Sequence, residues 1–180
     1  MPKSVTCLTK SAAETKRVAK HIAAYAQLAR KTFQPHHALV ISLEGNLGAG
    51  KTTFTQGFAR ALGIRQHLTS PTFVVMKKYA GQKYKSQITH HKSIKRLPLA
   101  LYHIDCYRLH SPEELSAIGL ETIINNPYAI VLIEWGDRIK KLLPPNRLTI
   151  RFAHAGGNRR KISIINLSTP LEENFFSTGR

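Results

Sequence analysis

Apolar positions along the first third of the chain change spacing twice. Between residues 11 and 30, Val18, Ile22, Tyr25 and Leu28 recur every three or four positions, and Ser11 and Glu14 stand at capping-box spacing. This pattern predicts an amphipathic helix. Ala38 to Glu44 (ALVISLE) is a short, β-branched apolar run ending at Gly45, as expected of a buried strand. Residues 51 to 62 return to helical spacing and stop at Gly63.

Phe73 to Tyr79 and Leu99 to Tyr107 read as strands. Between them Gly81 to Pro98 is polar and carries Lys83, Lys85, Lys92, Lys95 and Arg96. Ser111-Pro112-Glu113-Glu114 combines an N-cap, an N1 proline and a capping glutamate, so a helix should begin there. Ala129 to Trp135 reads as a buried strand. Arg147 to Ala153 and Lys161 to Leu167 alternate, joined by the hairpin turn Gly156-Gly157-Asn158. Strands alternating with helices, followed by a hairpin, predict an α/β fold: a three-layer sandwich with a mixed, partly antiparallel sheet. One domain over residues 1–168 is expected, with a basic insertion at about 81–98 and a flexible tail over 169–180.

The 180 residues suffice for one domain with a sizeable core. The 27 Lys and Arg against 10 Asp and Glu give a formal net charge of +17, which predicts attraction to polyanions and says nothing about fold. No apolar run approaches the roughly 18 residues of a membrane span. Lys and Arg interleave through residues 10 to 31, which does not fit a secretory signal. The 2 cysteines, Cys7 and Cys106, lie far apart in no metal-like spacing, so a cytoplasmic location is expected.

The most specific chemistry lies in Gly45-Asn46-Leu47-Gly48-Ala49-Gly50-Lys51-Thr52-Thr53, which matches the P-loop pattern G-x-x-x-x-G-K-[ST]. Glycines let backbone N–H groups turn inward around phosphate oxygens, and the following helix points its positive end at them. Lys51 would supply a charge for the outer phosphates, and the Thr52 hydroxyl would complete a Mg²⁺ shell. Such a site also needs a strand-end acid for the cation. Asp105 and Glu134 both qualify; each could instead face solvent or pair with one of the many cations. A guanine-specific N-K-x-D sequence is absent, and so is an L-S-G-G-Q segment.

Three further segments carry a likeness: Ser70-Pro71-Thr72-Phe73, His103-Ile104-Asp105-Cys106-Tyr107-Arg108, and Ile133-Glu134-Trp135. With the P-loop, over about residues 8 to 167, they resemble the TsaE family, the ATPase component of bacterial tRNA threonylcarbamoyladenosine synthesis. The resemblance implies a slow Mg²⁺-dependent ATPase working beside TsaD-like and TsaB-like subunits. Those subunits modify the adenosine next to the anticodon in tRNAs reading codons that begin with A.

By motif match, Asn46 through Thr53 would hold ATP, and Lys51, Asp105 and Glu134 would be catalytic. Thr52 and Glu134 would ligate Mg²⁺, with Asp105 in the outer shell or placing the attacking water. Thr72 would report on the γ-phosphate, and Ser11 would touch the nucleotide edge or act only as an N-cap. Trp135 would lie near the nucleotide or in the core. His103 reads first as a core residue, while Tyr107 and Arg108 would orient the Asp105 loop or meet a partner. The basic insertion reads as a solvated segment or as a contact for tRNA phosphates. Arg159 and Arg160 are expected to be solvated. A small-molecule kinase using the same P-loop is the alternative activity, and a nucleic-acid-binding module is a third class.

Overall fold

The computed structural model describes residues 4–33, 36–85, 96–109 and 112–166. The strands are β1 (Ser4–Thr9), β2 (Leu39–Glu44), β3 (Met76–Lys85), β4 (Arg96–Asp105), β5 (Ala129–Glu134), β6 (Leu148–His154) and β7 (Arg160–Ile165). The helices are α1 (Ala12–Phe33), α2 (Lys51–Ala61), α3 (Pro112–Ala117) and α4 (Leu120–Ile124), with a 3-10 segment at Gly136–Leu142. The strands form one sheet in the order β1-β7-β6-β2-β5-β4-β3. Strands β4, β5, β2 and β6 run parallel, while β1, β7 and β3 pair antiparallel at the flanks.

The period-2 alternation of the central strands sorts their side chains into two cores. Ile41, Leu43, Ile130 and Leu132 pack with Ile22 and Ala26 of α1 and with Phe54 and Phe58 of α2. Val40, Val131, Ile133 and Ile104 point the other way, onto Leu115 of α3, Leu120 and Ile123 of α4, and Ile139. Strand β5 is buried at every position, as a central parallel strand should be. The three layers and the mixed sheet are therefore present.

Helix α1 has its expected start. The Glu14 backbone N–H donates to Ser11 Oγ at 3.2 Å, and Glu14 Oε2 accepts from the Lys10 N–H at 2.7 Å. Helices α1 and α2 lie close because position 57 is glycine: a Cβ there would stand 2.8 Å from Lys16 Cα.

Elsewhere the elements shift. Phe73 to Val75 do not enter β3. Val74 N–H donates to Pro71 O at 2.9 Å, Val75 sits at φ 62°, and Phe73 is 83% exposed. Phe73 and Val74 are exposed apolar residues that read as strand and fold as a turn, while Val75 packs against the second core. Both ends of the expected insertion are strand. Gly81–Lys85 and Arg96–Pro98 continue β3 and β4 as an antiparallel hairpin, with a register shift between Ala80 and Lys83. Lys92, Lys95, Ser111 and the 169–180 tail lie outside the described residues.

Strand β1 is an addition to the elements expected from the sequence. It borders the sheet by pairing with β7, Cys7 opposite Ile162, and its Ser-Val-Thr-Cys-Leu-Thr sequence carries too little apolar weight to stand out. The described helices include none long and apolar enough to cross a membrane.

Candidate nucleotide site

The P-loop leaves the C-terminal end of β2, where a parallel sheet opens a crevice to ligands. Gly45 takes φ +136°, and a Cβ at that position would meet the Phe152 carbonyl oxygen at 2.3 Å. Only glycine fits this turn, because the loop is pressed against β6. Gly50, at φ +108°, precedes the first turn of α2, and Phe54 N–H donates to its carbonyl at 2.9 Å. Asn46, Leu47 and Gly48 are exposed and Ala49 is buried, so the loop faces outward while one residue anchors it. Thr53, on the first turn of α2, is half-buried.

Lys51 is 4% exposed. Its Nζ donates to Gly45 O at 2.6 Å and Asn46 O at 3.0 Å, and lies 3.7 Å from the centre of the Trp135 ring. Burial pulls its pKa below the usual lysine value, and Glu134, Asp105 and Asp137 each pull it back up. The ammonium is thus held by two carbonyls of its own loop and faced by an indole.

The parallel register of β4 and β5 sets Asp105 directly beside Glu134. The two acids have different surroundings. Glu134 Oε2 accepts from Thr52 Oγ1 at 3.0 Å, and Glu134 Oε1 lies 2.9 Å from His103 Nε2. Since an ionised carboxylate only accepts, the imidazole N–H must sit on Nε2 to make this bond. Nδ1 of the fully buried His103 then has no partner. Asp105 Oδ2 accepts from Ser70 Oγ and from Thr72 Oγ1 (2.6 Å), and Oδ1 accepts from the Tyr107 N–H at 2.9 Å. Asp105 therefore ties the 70–72 loop to the end of β4.

Trp135 holds the left-handed conformation at φ 60°, its N–H donating to Leu43 O at 2.9 Å. Its ring lies 5.1 Å from that of Tyr107, whose carbonyl accepts from Arg138 Nη1. Arg108 stacks over Phe73 with 4.5 Å between the guanidinium carbon and the ring centre. Next to Trp135, a Cβ on Gly136 would stand 2.2 Å from Ser42 Oγ, so the chain passes hard against β2.

Several contacts go beyond what the motifs announce. His103 touches Glu134 rather than merely filling the core. Arg160 is not free in solvent: its Nη2 donates to Gly48 O at 3.2 Å, while Nη1 serves Gly157 O and Arg159 O. Glu44 is a third strand-end acid, outside every motif, and is held by Arg151 Nε at 2.9 Å. Only the H-x-D and I-E spacing hints at the first of these, and nothing local hints at the others. Ser11 serves as the cap of α1, whose first turns reach the P-loop: Thr15 Cγ2 lies 4.0 Å from where a Gly50 Cβ would be.

Among the described residues no cluster of three or more His, Cys, Asp or Glu could hold a metal by itself. The donors present suit a cation that arrives with phosphates. One hydroxyl (Thr52) and one carboxylate oxygen of Glu134, its other oxygen engaged by His103, are hard oxygen ligands of the kind Mg²⁺ takes beside phosphate and water.

Residues 9–162 match the family model described as "Threonylcarbamoyl adenosine biosynthesis protein TsaE". The chain is 37% identical over 150 residues to the tRNA threonylcarbamoyladenosine biosynthesis protein TsaE of Bacillus subtilis, covering 83% of this chain and 78% of that protein. To the protein of the same name from Treponema pallidum it is 35% identical over 125 residues, 69% of this chain and 80% of the relative. The crystal structure of Bacillus subtilis YdiB superposes with a TM-score of 0.64 at 32% identity, covering 93% of this chain and 88% of YdiB. A Gly-lined loop closed by Lys51 and Thr52, two strand-end acids in register, and these likenesses over most of the length lead to one assignment: the chain belongs to the TsaE family.

Proposed function

We propose that this protein binds ATP with Mg²⁺ at residues 46–53 and hydrolyses it slowly in the cytoplasm. It would support threonylcarbamoyl transfer to tRNA adenosine by TsaD-like and TsaB-like subunits. The observation that carries this reading is the Thr52–Glu134 hydrogen bond across 82 residues of sequence, beside a buried Lys51 and a loop whose glycines take positive φ.

In this reading, Lys51 leaves the Gly45 and Asn46 carbonyls for the outer phosphate oxygens, and the N-terminus of α2 adds its dipole. Thr52 and Glu134 hold Mg²⁺, which supplies the charge that offsets the phosphate oxygens. His103 fixes which Glu134 oxygen faces the metal. Asp105 keeps Ser70 and Thr72 at the outer edge of the site, where they can report on the terminal phosphate and orient water. Lys83, Lys85, Lys92, Lys95 and Arg96 of the insertion add phosphate contacts to tRNA.

Calorimetry with Mg²⁺ and adenine nucleotides, together with a phosphate-release assay, tests the proposal. Lys51→Ala should abolish the binding heat, and Glu134→Ala should stop turnover while sparing much of the binding. No heat from the wild-type protein overturns the reading. So does labelled phosphate appearing on an organic acceptor rather than in solution, which would indicate a kinase.

A further inference from the structure

A groove of about 710 Å³ runs between α1 and the C-terminal half of α2. Its floor is formed where Gly57 meets the Lys16 backbone and by the buried Ile64 and Leu68. Its rim carries Lys16, Arg17 and Lys20 from α1, Arg60 from α2, and Arg65 and His67 from the segment that follows. Among the described residues no Asp or Glu lines it. Among the described residues only Arg17 of these six has an acid in ion-pair range, Glu14 at 3.4 Å. Arg60 lies nine residues beyond Lys51, about 13 Å along the helix axis, so the groove is separate from the P-loop.

We propose that this groove seats the phosphodiester backbone of RNA, an inference that rests on the reading that the protein serves tRNA modification. Opposing rows of cations with no interleaved acid make a line of positive potential that suits a polyanion. Gln66 and His67 add the hydrogen-bonding side chains that position phosphate and sugar. An acidic protein fits less well. Protein interfaces centre on buried aromatic or aliphatic anchors and are depleted of lysine. Among the described residues the exposed large apolar side chains, Phe73, Val74 and Leu47 among them, all lie outside the groove.

Fluorescence anisotropy of an unmodified tRNA transcript against the full chain, from low to moderate salt, tests the assignment. Lys16→Gln, Lys20→Gln, Arg60→Gln and Arg65→Gln together should make the slope of log affinity against log salt shallower by about 3, at roughly 0.7–0.9 for each phosphate no longer neutralised. Affinity at low salt should fall at least about tenfold. A charge-matched control, Lys140→Gln, Lys141→Gln, Arg159→Gln and Lys161→Gln, should change the slope by less than about 1. Circular dichroism and thermal unfolding report folding of each variant. If the fourfold variant fails to fold, Arg60→Gln with Arg65→Gln should still shift the slope by about 1.5.

A wild-type slope in the groove variant overturns the proposal, as does an equal loss in the control. Loss of poly-glutamate binding with tRNA binding intact would assign the groove to an acidic protein and also overturn it. Lys51→Ala separates the two readings. It should remove nucleotide binding and leave the tRNA slope in place; absent nucleotide heat from the wild-type protein beside intact tRNA binding would sink the ATPase alone.

Discussion

The P-loop and the α1–α2 groove are both proposed to receive anions, and they are built in opposite ways. At the P-loop a single buried lysine is surrounded by carbonyls, an indole and three acids, and each contact has a fixed partner. At the groove several cations stand at a surface with no acid among its described lining residues. Burial makes the first region geometric: a charge removed from water is tolerated only in one arrangement. Exposure makes the second additive, because screened charges act through their number rather than their exact placement. The first should therefore respond to small steric changes and the second to salt.

The sharpest way to break this contrast is steric. Gly45→Ala forces a Cβ onto the Phe152 carbonyl and should weaken nucleotide binding about a hundredfold or more, with the salt dependence of tRNA binding unchanged. Calorimetry and anisotropy on the one variant decide it, and a mild nucleotide effect would mean the loop is looser than its geometry.

A smaller effect is expected behind the acid. His103→Gln keeps a donor near Glu134 but loses the fixed imidazole geometry, so hydrolysis should drop about tenfold with a matching rise in the Mg²⁺ concentration needed. Nucleotide affinity without metal is the control readout. A purely structural role would lower stability and leave the Mg²⁺ requirement unmoved.

The smallest effect concerns protons. Burial lowers the Lys51 pKa, so the ammonium is lost as pH rises through a value below the ordinary 10.5. The folded value is depressed, so the unfolded chain holds this proton more tightly. Between the folded and unfolded values, stability rises with pH, because only the unfolded lysine still carries its proton. Nucleotide affinity moves in the opposite sense and should decline at alkaline pH before 10.5 is reached. A flat affinity through that range would show that the nearby acids fully offset desolvation.

Much of the site is legible in the sequence because its first part is local. Gly45 to Thr53 specify a strand end, a turn and a helix start within nine residues, and each step follows from backbone freedom and spacing. The capping pair Ser11 and Glu14 is legible for the same reason. Phe73 misleads because hydrophobicity reports a wish for burial and not its fulfilment. Beside Pro71 and a positive-φ Val75 it ends in a turn at the surface. Strand β1 escapes a local reading because its partner, β7, lies at the far end of the chain.

The sequence by itself determined the alternation of strands and helices from α1 to β2 and α2, the P-loop turn and the supply of acids at strand ends, since all of these arise from neighbours along the chain. Tertiary structure alone decided that Asp105 stands beside Glu134, that His103 and Thr52 take separate oxygens of that glutamate, that Arg160 leans on Gly48, and that two basic helix faces meet as a groove. Those contacts depend on which strands pair and in what register. Burying both sheet faces at once fixes that register, and no local stretch of residues encodes it.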